Sequence, residues 1–64
     1  MKRGTFIRKL KNEGCVLVRH GGKHDVYRNP KSGKQATVPR HSEIADRLCR
    51  IITHQLGLPE NILS

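Results

Sequence analysis

The stretch Cys15-Val16-Leu17-Val18-Arg19-His20-Gly21-Gly22-Lys23-His24-Asp25-Val26-Tyr27-Arg28 decides the fold. An apolar, β-branched run from Cys15 to Val18 stops at the diglycine, and an extended pattern resumes at His24, which is the order of a β-hairpin. With Gly21-Gly22 taken as a two-residue loop, Arg19 is expected opposite His24 on one face. Asp25 is then expected on the other face, away from His24. Downstream, Asn29-Pro30-Lys31-Ser32-Gly33 is dense in turn formers, Gln35 to Val38 reads as a third strand, and Pro39 ends its ladder. Upstream, Lys2 to Glu13 places Phe6, Ile7 and Leu10 at helical spacing, with Gly14 suited to a left-handed cap. Ser42 reads as the cap of a second helix with an apolar stripe of Ile44, Leu48, Ile51 and Ile52, closed by Gly57 and Pro59. The expected fold is α+β in the order α-β-β-β-α, a three-stranded antiparallel sheet with two helices on one face and the other face free. The tail residues Ile62 and Leu63 either pack back on the body or form an apolar end for another subunit.

A chain of 64 residues bounds the answer to one domain, residues 1–64, with a modest buried fraction. With one Phe, one Tyr and no Trp, the core falls to Ile, Leu and Val, and stability is expected at the low end for domains. No run of about 18 apolar residues is present, and Met1-Lys2-Arg3 leads into no apolar stretch of signal-peptide length. Neither membrane insertion nor secretion is indicated, and the expected location is cytoplasmic. Cys15 and Cys49 stand far apart among apolar neighbours and read as reduced core residues rather than zinc ligands or a redox pair.

Charge is one-sided. The formal net charge is +8, and residues 1–40 hold eleven Lys and Arg against two acids, whereas residues 41–64 hold two against three. A field of this size on so small a body attracts nucleic-acid phosphates with strong salt dependence, and attracts an acidic protein by the same physics. Lys9, Lys11 and Lys34 are expected among the phosphate contacts. Tyr27 is a lone strand aromatic and reads as packed against the sheet; without paired aromatics for stacking, recognition rests on phosphates and sugars.

Within this basic segment, Gly21-Gly22-Lys23-His24 sets a histidine just past a flexible turn, where backbone can approach a ligand and an imidazole can move protons near neutral pH. His20 and His24 are four apart, but the intervening glycines oppose the helix that metal binding at that spacing needs. His41 stands at a helix start, where local packing or capping competes with a role in chemistry, and His54 reads as a surface residue.

The ordered set of a Lys-Arg-rich first helix ending at Gly14, the turn Gly22-Lys23-His24, the element Val38-Pro39-Arg40-His41 and a closing apolar helix with Leu56-Gly57 resembles the HicA toxins of bacterial and archaeal toxin–antitoxin modules. These are small messenger-RNA interferases with a double-stranded-RNA-binding-domain-like fold. The family turn commonly reads Gly-Ser-His-His, whereas Lys23 and Asp25 flank the histidine here. The resemblance implies His24 as the catalytic residue of a metal-independent endoribonuclease needing no cofactor, with Gly22 and His41 as accessory positions. It also implies messenger RNA as substrate, a cognate HicB-type antitoxin that covers the active site, and oligomers formed with that antitoxin. The chemistry agrees: RNA cleavage needs a proton taken from a nucleophile and one given to a leaving oxygen, and histidine can do either. Lys23, Arg19 and Arg28 are placed to steady the phosphate charge. The alternative reading is a non-catalytic RNA- or DNA-binding module, separable because such a module loses little when one imidazole is removed.

Overall fold

Phe6, Ile7 and Leu10 form one buried face, and that face defines helix α1, Arg3–Asn12, in the computed structural model, which describes all 64 residues. Gly14, at φ +93°, closes it: the Gly14 N–H donates to the Lys11 carbonyl at 2.9 Å and the Cys15 N–H to the Leu10 carbonyl at 3.0 Å. Helix α2, Asp46–Gln55, ends the same way, with Gly57 at φ +70° and N–H bonds from Gly57 to His54 and from Leu58 to Thr53, both 3.0 Å. Only glycine enters this left-handed region at little cost, which is why both helices stop where they do.

Between the helices run β1 (Val16–His20), β2 (His24–Asn29) and β3 (Lys34–Pro39), antiparallel and in the spatial order β1-β2-β3. Along β2, burial alternates: Asp25, Tyr27 and Asn29 are buried while His24 and Arg28 are exposed. Directly opposite residues share a face. Tyr27 and its partner Ala36, and Asp25 and its partner Val38, therefore point toward the helices, and the rows Arg28–Gln35 and Val26–Thr37 point away. Phe6, Leu10, Tyr27, Val38, Ile44, Cys49, Ile52 and Leu56 make the core between the layers. The fold is the α+β arrangement expected, with one sheet face uncovered.

Two expectations of detail change. Helix α2 starts at Asp46 after Ala45, not behind Ser42. Residues 42–44 instead run beside the chain start, with Arg3 N–H donating to Ser42 O at 2.9 Å and Ile44 N–H to Met1 O at 2.8 Å, so Ile44 plugs the core before the helix begins. The buried stripe of α2 is Cys49, Ile52 and Thr53, continued by Leu56, while Leu48 and Ile51 face outward. Strand β1 is an edge strand, and its Val16, Leu17 and Val18 are each about half exposed. The tail packs back as a short 3₁₀ turn, Glu60–Leu63, with Ile62 and Leu63 against the core. Tyr27 is packed against the sheet as expected. Cys15 and Cys49 are free and buried, and burial pushes both thiols above the ordinary value, keeping them protonated at neutral pH. No helix is long and apolar enough to cross a membrane.

A polar anchor holds the far end of β2. Asn29, buried in the sheet, donates from Nδ2 to the Leu56 carbonyl at 2.8 Å and accepts from the Lys31 N–H at 3.1 Å, tying the turn to the end of α2. Asn29→Ala removes both bonds, while the Leu56 carbonyl keeps a second donor in Ser32 Oγ at 3.0 Å. We expect a loss of about 0.5–1.5 kcal/mol for each bond removed in urea denaturation, with the m-value unchanged because the native core is the same.

Candidate active site at the hairpin turn

The turn between β1 and β2 has two residues, as expected, but is shifted by one residue along the chain from the diglycine. Gly21 N–H donates to the His24 carbonyl at 3.0 Å, so Gly22 and Lys23 form the loop and Gly21, not Arg19, lies opposite His24. A side chain at Gly21 would collide with the His24 carbonyl oxygen, which is the physical reason for glycine here. Arg19 pairs with Val26 and His20 with Asp25. This register exists because β1 is bulged at Val18, between the pairs Leu17–Tyr27 and Arg19–Val26. The extra residue re-phases the strand. Without it Arg19 would point at the helices; with it Arg19 joins Val26 and His24 on the uncovered face.

His24 opens β2 on that face, exposed and opposite Pro39. Arg28 lies on the same face two rows away, opposite Val16 and Gln35. A shallow groove of about 650 Å³ is lined by Arg19, Val26, Lys34, Gln35, Ala36, Thr37 and Gln55; His24 and Arg28 do not line it. Lys23 and Gly22 are exposed at the loop tip. The structure thus gathers His24, Arg19, Arg28 and Lys23 at one face and its edge. Lys34, opposite Asn29, stands five residues along the ladder from His24, roughly 17 Å away at strand rise. Lys9 and Lys11 are on α1, in the other layer, and do not join the group. His41 is exposed just past the end of β3.

Asp25 lies on the face opposite His24, as expected from alternation; that face is the one covered by the helices, and what Asp25 meets there escaped the sequence reading. Its carboxylate is only 6% exposed and takes a 2.7 Å ion pair at Oδ2 from Arg3 Nη2. Arg3 also donates from Nε to the Pro39 carbonyl at 2.9 Å, so one side chain joins the start of α1 to the ends of β2 and β3. On the other oxygen, His20 Nδ1 stands 3.0 Å away and Arg40 Nε 4.0 Å away, yet Oδ1 has no aligned hydrogen bond. Arg40 in turn donates from Nη1 to the Gly21 carbonyl at 2.9 Å, and its backbone N–H donates to the Lys23 carbonyl at 3.1 Å. One signal of this cluster was available: an acid in the inward row of a strand has to find a cation. Which cation was not readable, since Arg3 and Arg40 lie far from Asp25 along the chain. His20 and His24 point to opposite faces of the hairpin, and no three His, Cys, Asp or Glu side chains converge as a metal site.

The family model described as the HicA toxin of bacterial toxin–antitoxin systems matches residues 4–58 of the chain. No curated protein and no solved structure matches the chain.

Removing one partner of a buried ion pair strands the other, which typically costs about 3–5 kcal/mol, whereas replacing both with apolar groups is often close to neutral. Asp25→Ala should therefore leave much of the protein unfolded in thermal denaturation. The double variant Arg3→Met with Asp25→Leu should recover most of the lost stability.

Proposed function

Since the chain belongs to the HicA family of bacterial toxins, we propose that it is a metal-independent endoribonuclease that cleaves messenger RNA, with His24 as the proton-transfer group. The observation that carries this reading is the shared face: His24, Arg19 and Arg28 stand together on the uncovered side of the sheet, with Lys23 at its edge. His24 takes the proton from a ribose 2′-hydroxyl as its oxygen attacks phosphorus, or gives a proton to the 5′ oxygen as that bond breaks. Help of this kind is worth about 10²–10⁴-fold in rate. Arg19 and Lys23 hold the phosphate and offset the charge that builds on its oxygens, and Arg28, about 13 Å farther along the strand, holds a neighbouring phosphate. Phe6 and Tyr27 are both buried, so bases find no stacking platform and the strand is held by its backbone, with weak sequence preference.

A toxin of this kind acts in the cytoplasm and is held in check by a HicB-type antitoxin. An acidic antitoxin competes with RNA for the basic face and covers the half-exposed Val16, Leu17 and Val18 on the edge strand. Such a patch on an unpaired edge is a liability for a free protein and an attachment surface in a complex.

The test is incubation of end-labelled single-stranded RNA in EDTA with wild type and with His24→Ala. The variant is expected to lose cleavage while its RNA affinity, read by fluorescence anisotropy, stays within about twofold, because phosphate binding rests mainly on the Lys and Arg side chains. Equal fragmentation by both proteins would remove His24 from the chemistry, and binding without cleavage by either would favour the non-catalytic binding module.

Binding itself should be electrostatic. Arg19→Gln and Arg28→Gln are each expected to weaken RNA binding and lower the slope of log affinity against log salt by about 0.7, the value for one single-strand phosphate contact. Anisotropy titrations between roughly 50 and 200 mM salt check this, with Lys9→Gln and Lys11→Gln, on the other layer, expected to change the slope less.

A further inference from the structure

Arg40 occupies the spacer position of Val38-Pro39-Arg40-His41, and the proposed reaction makes no use of it. Yet it holds the hairpin turn by two hydrogen bonds and reaches toward the strand residue just beyond. Its backbone N–H holds the Lys23 carbonyl, its Nη1 holds the Gly21 carbonyl, and its Nε approaches Oδ1 of Asp25, the buried oxygen that lacks a hydrogen bond. These contacts bracket His24: Lys23 precedes it, Asp25 follows it, and Gly21 faces it across the ladder. We propose that Arg40 is a positioning residue, fastening the turn between β1 and β2 to the end of β3 and so fixing where the His24 imidazole stands.

The physical need is plain from the turn. The side chain of His24 is exposed, so its aim is set by the backbone that carries it. That backbone adjoins two glycines, and around Gly22 there is open space. A misplacement of about 1 Å in a reacting group costs on the order of 10²-fold in rate. Arginine suits the task because its planar fork addresses a carbonyl and a carboxylate at once, which the single ammonium of lysine does not. Removing the side chain should leave the core intact, since it is 40% exposed and is not a member of the core cluster.

The proposal rests on His24 being the proton-transfer group, but its structural half concerns the free protein and is tested without RNA. In Arg40→Gln, amide hydrogen exchange at Gly21 should quicken, while exchange at Gly57, whose bond to His54 closes α2, keeps its wild-type rate. On RNA, kcat should fall about tenfold or more with KM within about twofold and the salt slope unchanged, the pattern of lost positioning rather than lost binding. Arg40→Lys, which keeps the charge but not the fork, should not restore kcat. Unchanged exchange at Gly21 would overturn the clamp. A raised KM with kcat intact, and rescue by lysine, would equally overturn it and make Arg40 a phosphate contact. Were wild type to leave RNA uncut, the nuclease reading would fail, and the exchange measurement would still decide the clamp by itself.

Discussion

The buried ion pair between Arg3 and Asp25 is the constraint on which the arrangement of this protein depends. Side chains alternate along a strand, so a one-residue slip in register exchanges the two faces of β2. Asp25 in the helix-facing row forces His24 into the other row, and the pair with Arg3 is what makes an inward carboxylate tolerable. An inward Asp25 without Arg3 is strongly disfavoured, because an unpaired charge out of water costs several kcal/mol. Reversing the register would bury His24 and expose Tyr27, losing the aromatic centre of a core that has only two aromatic residues. The pair therefore acts less as a source of stability than as a selector. It admits one register, and that register presents the histidine.

Much of the architecture was legible because it is written locally. The two helix ends follow from Gly14 and Gly57, the hairpin from the diglycine, and the buried row of β2 from alternation around Tyr27. The features that were missed are set by distant partners. Ser42 looks like a helix cap, yet its neighbourhood pairs with Met1 to Arg3, more than thirty residues away along the chain, and a long-range backbone bridge outranks a local capping preference worth about 1 kcal/mol. The bulge at Val18 has no mark in its own sequence; it is the outcome of satisfying Leu17 against Tyr27 and Gly21 against His24 on one ladder. Arg19 thereby reaches the face expected for it, although opposite Val26 and not His24.

The candidate site was legible in the same uneven way. Charge counting found the basic segment but treated it as one surface, whereas the fold divides it between two layers. The molecule is 17 Å through its thinnest dimension, about twice the screening length of roughly 8 Å at physiological salt. Lys9 and Lys11 on α1 therefore add to a general attraction at low salt and little to the local field at His24, where Arg19 and Lys23 stand nearer. Net charge predicts that a polyanion comes; register decides which cations meet it.

Small size gives the polar anchors their importance. With eleven buried apolar residues in the core, the chain has few contacts to spare for holding the ends of β2, and it uses hydrogen-bonded polar groups there instead. Asn29 fastens one end to the close of α2, and Asp25 fastens the other to the start of α1 and the end of β3. The same β2 terminus carries His24. Local stability and the geometry of the candidate site are thus properties of one set of bonds, and loosening the anchor at Asp25 disturbs both together. The edge strand β1 stands outside this scheme, bound on one side only and exposing Val16, Leu17 and Val18. On the proposed reading, a partner that covers β1 gains apolar area at the strand that also carries Arg19. Stabilising the toxin and removing its RNA-binding surface then follow from a single contact, which links the marginal core of so short a chain to the means of its control.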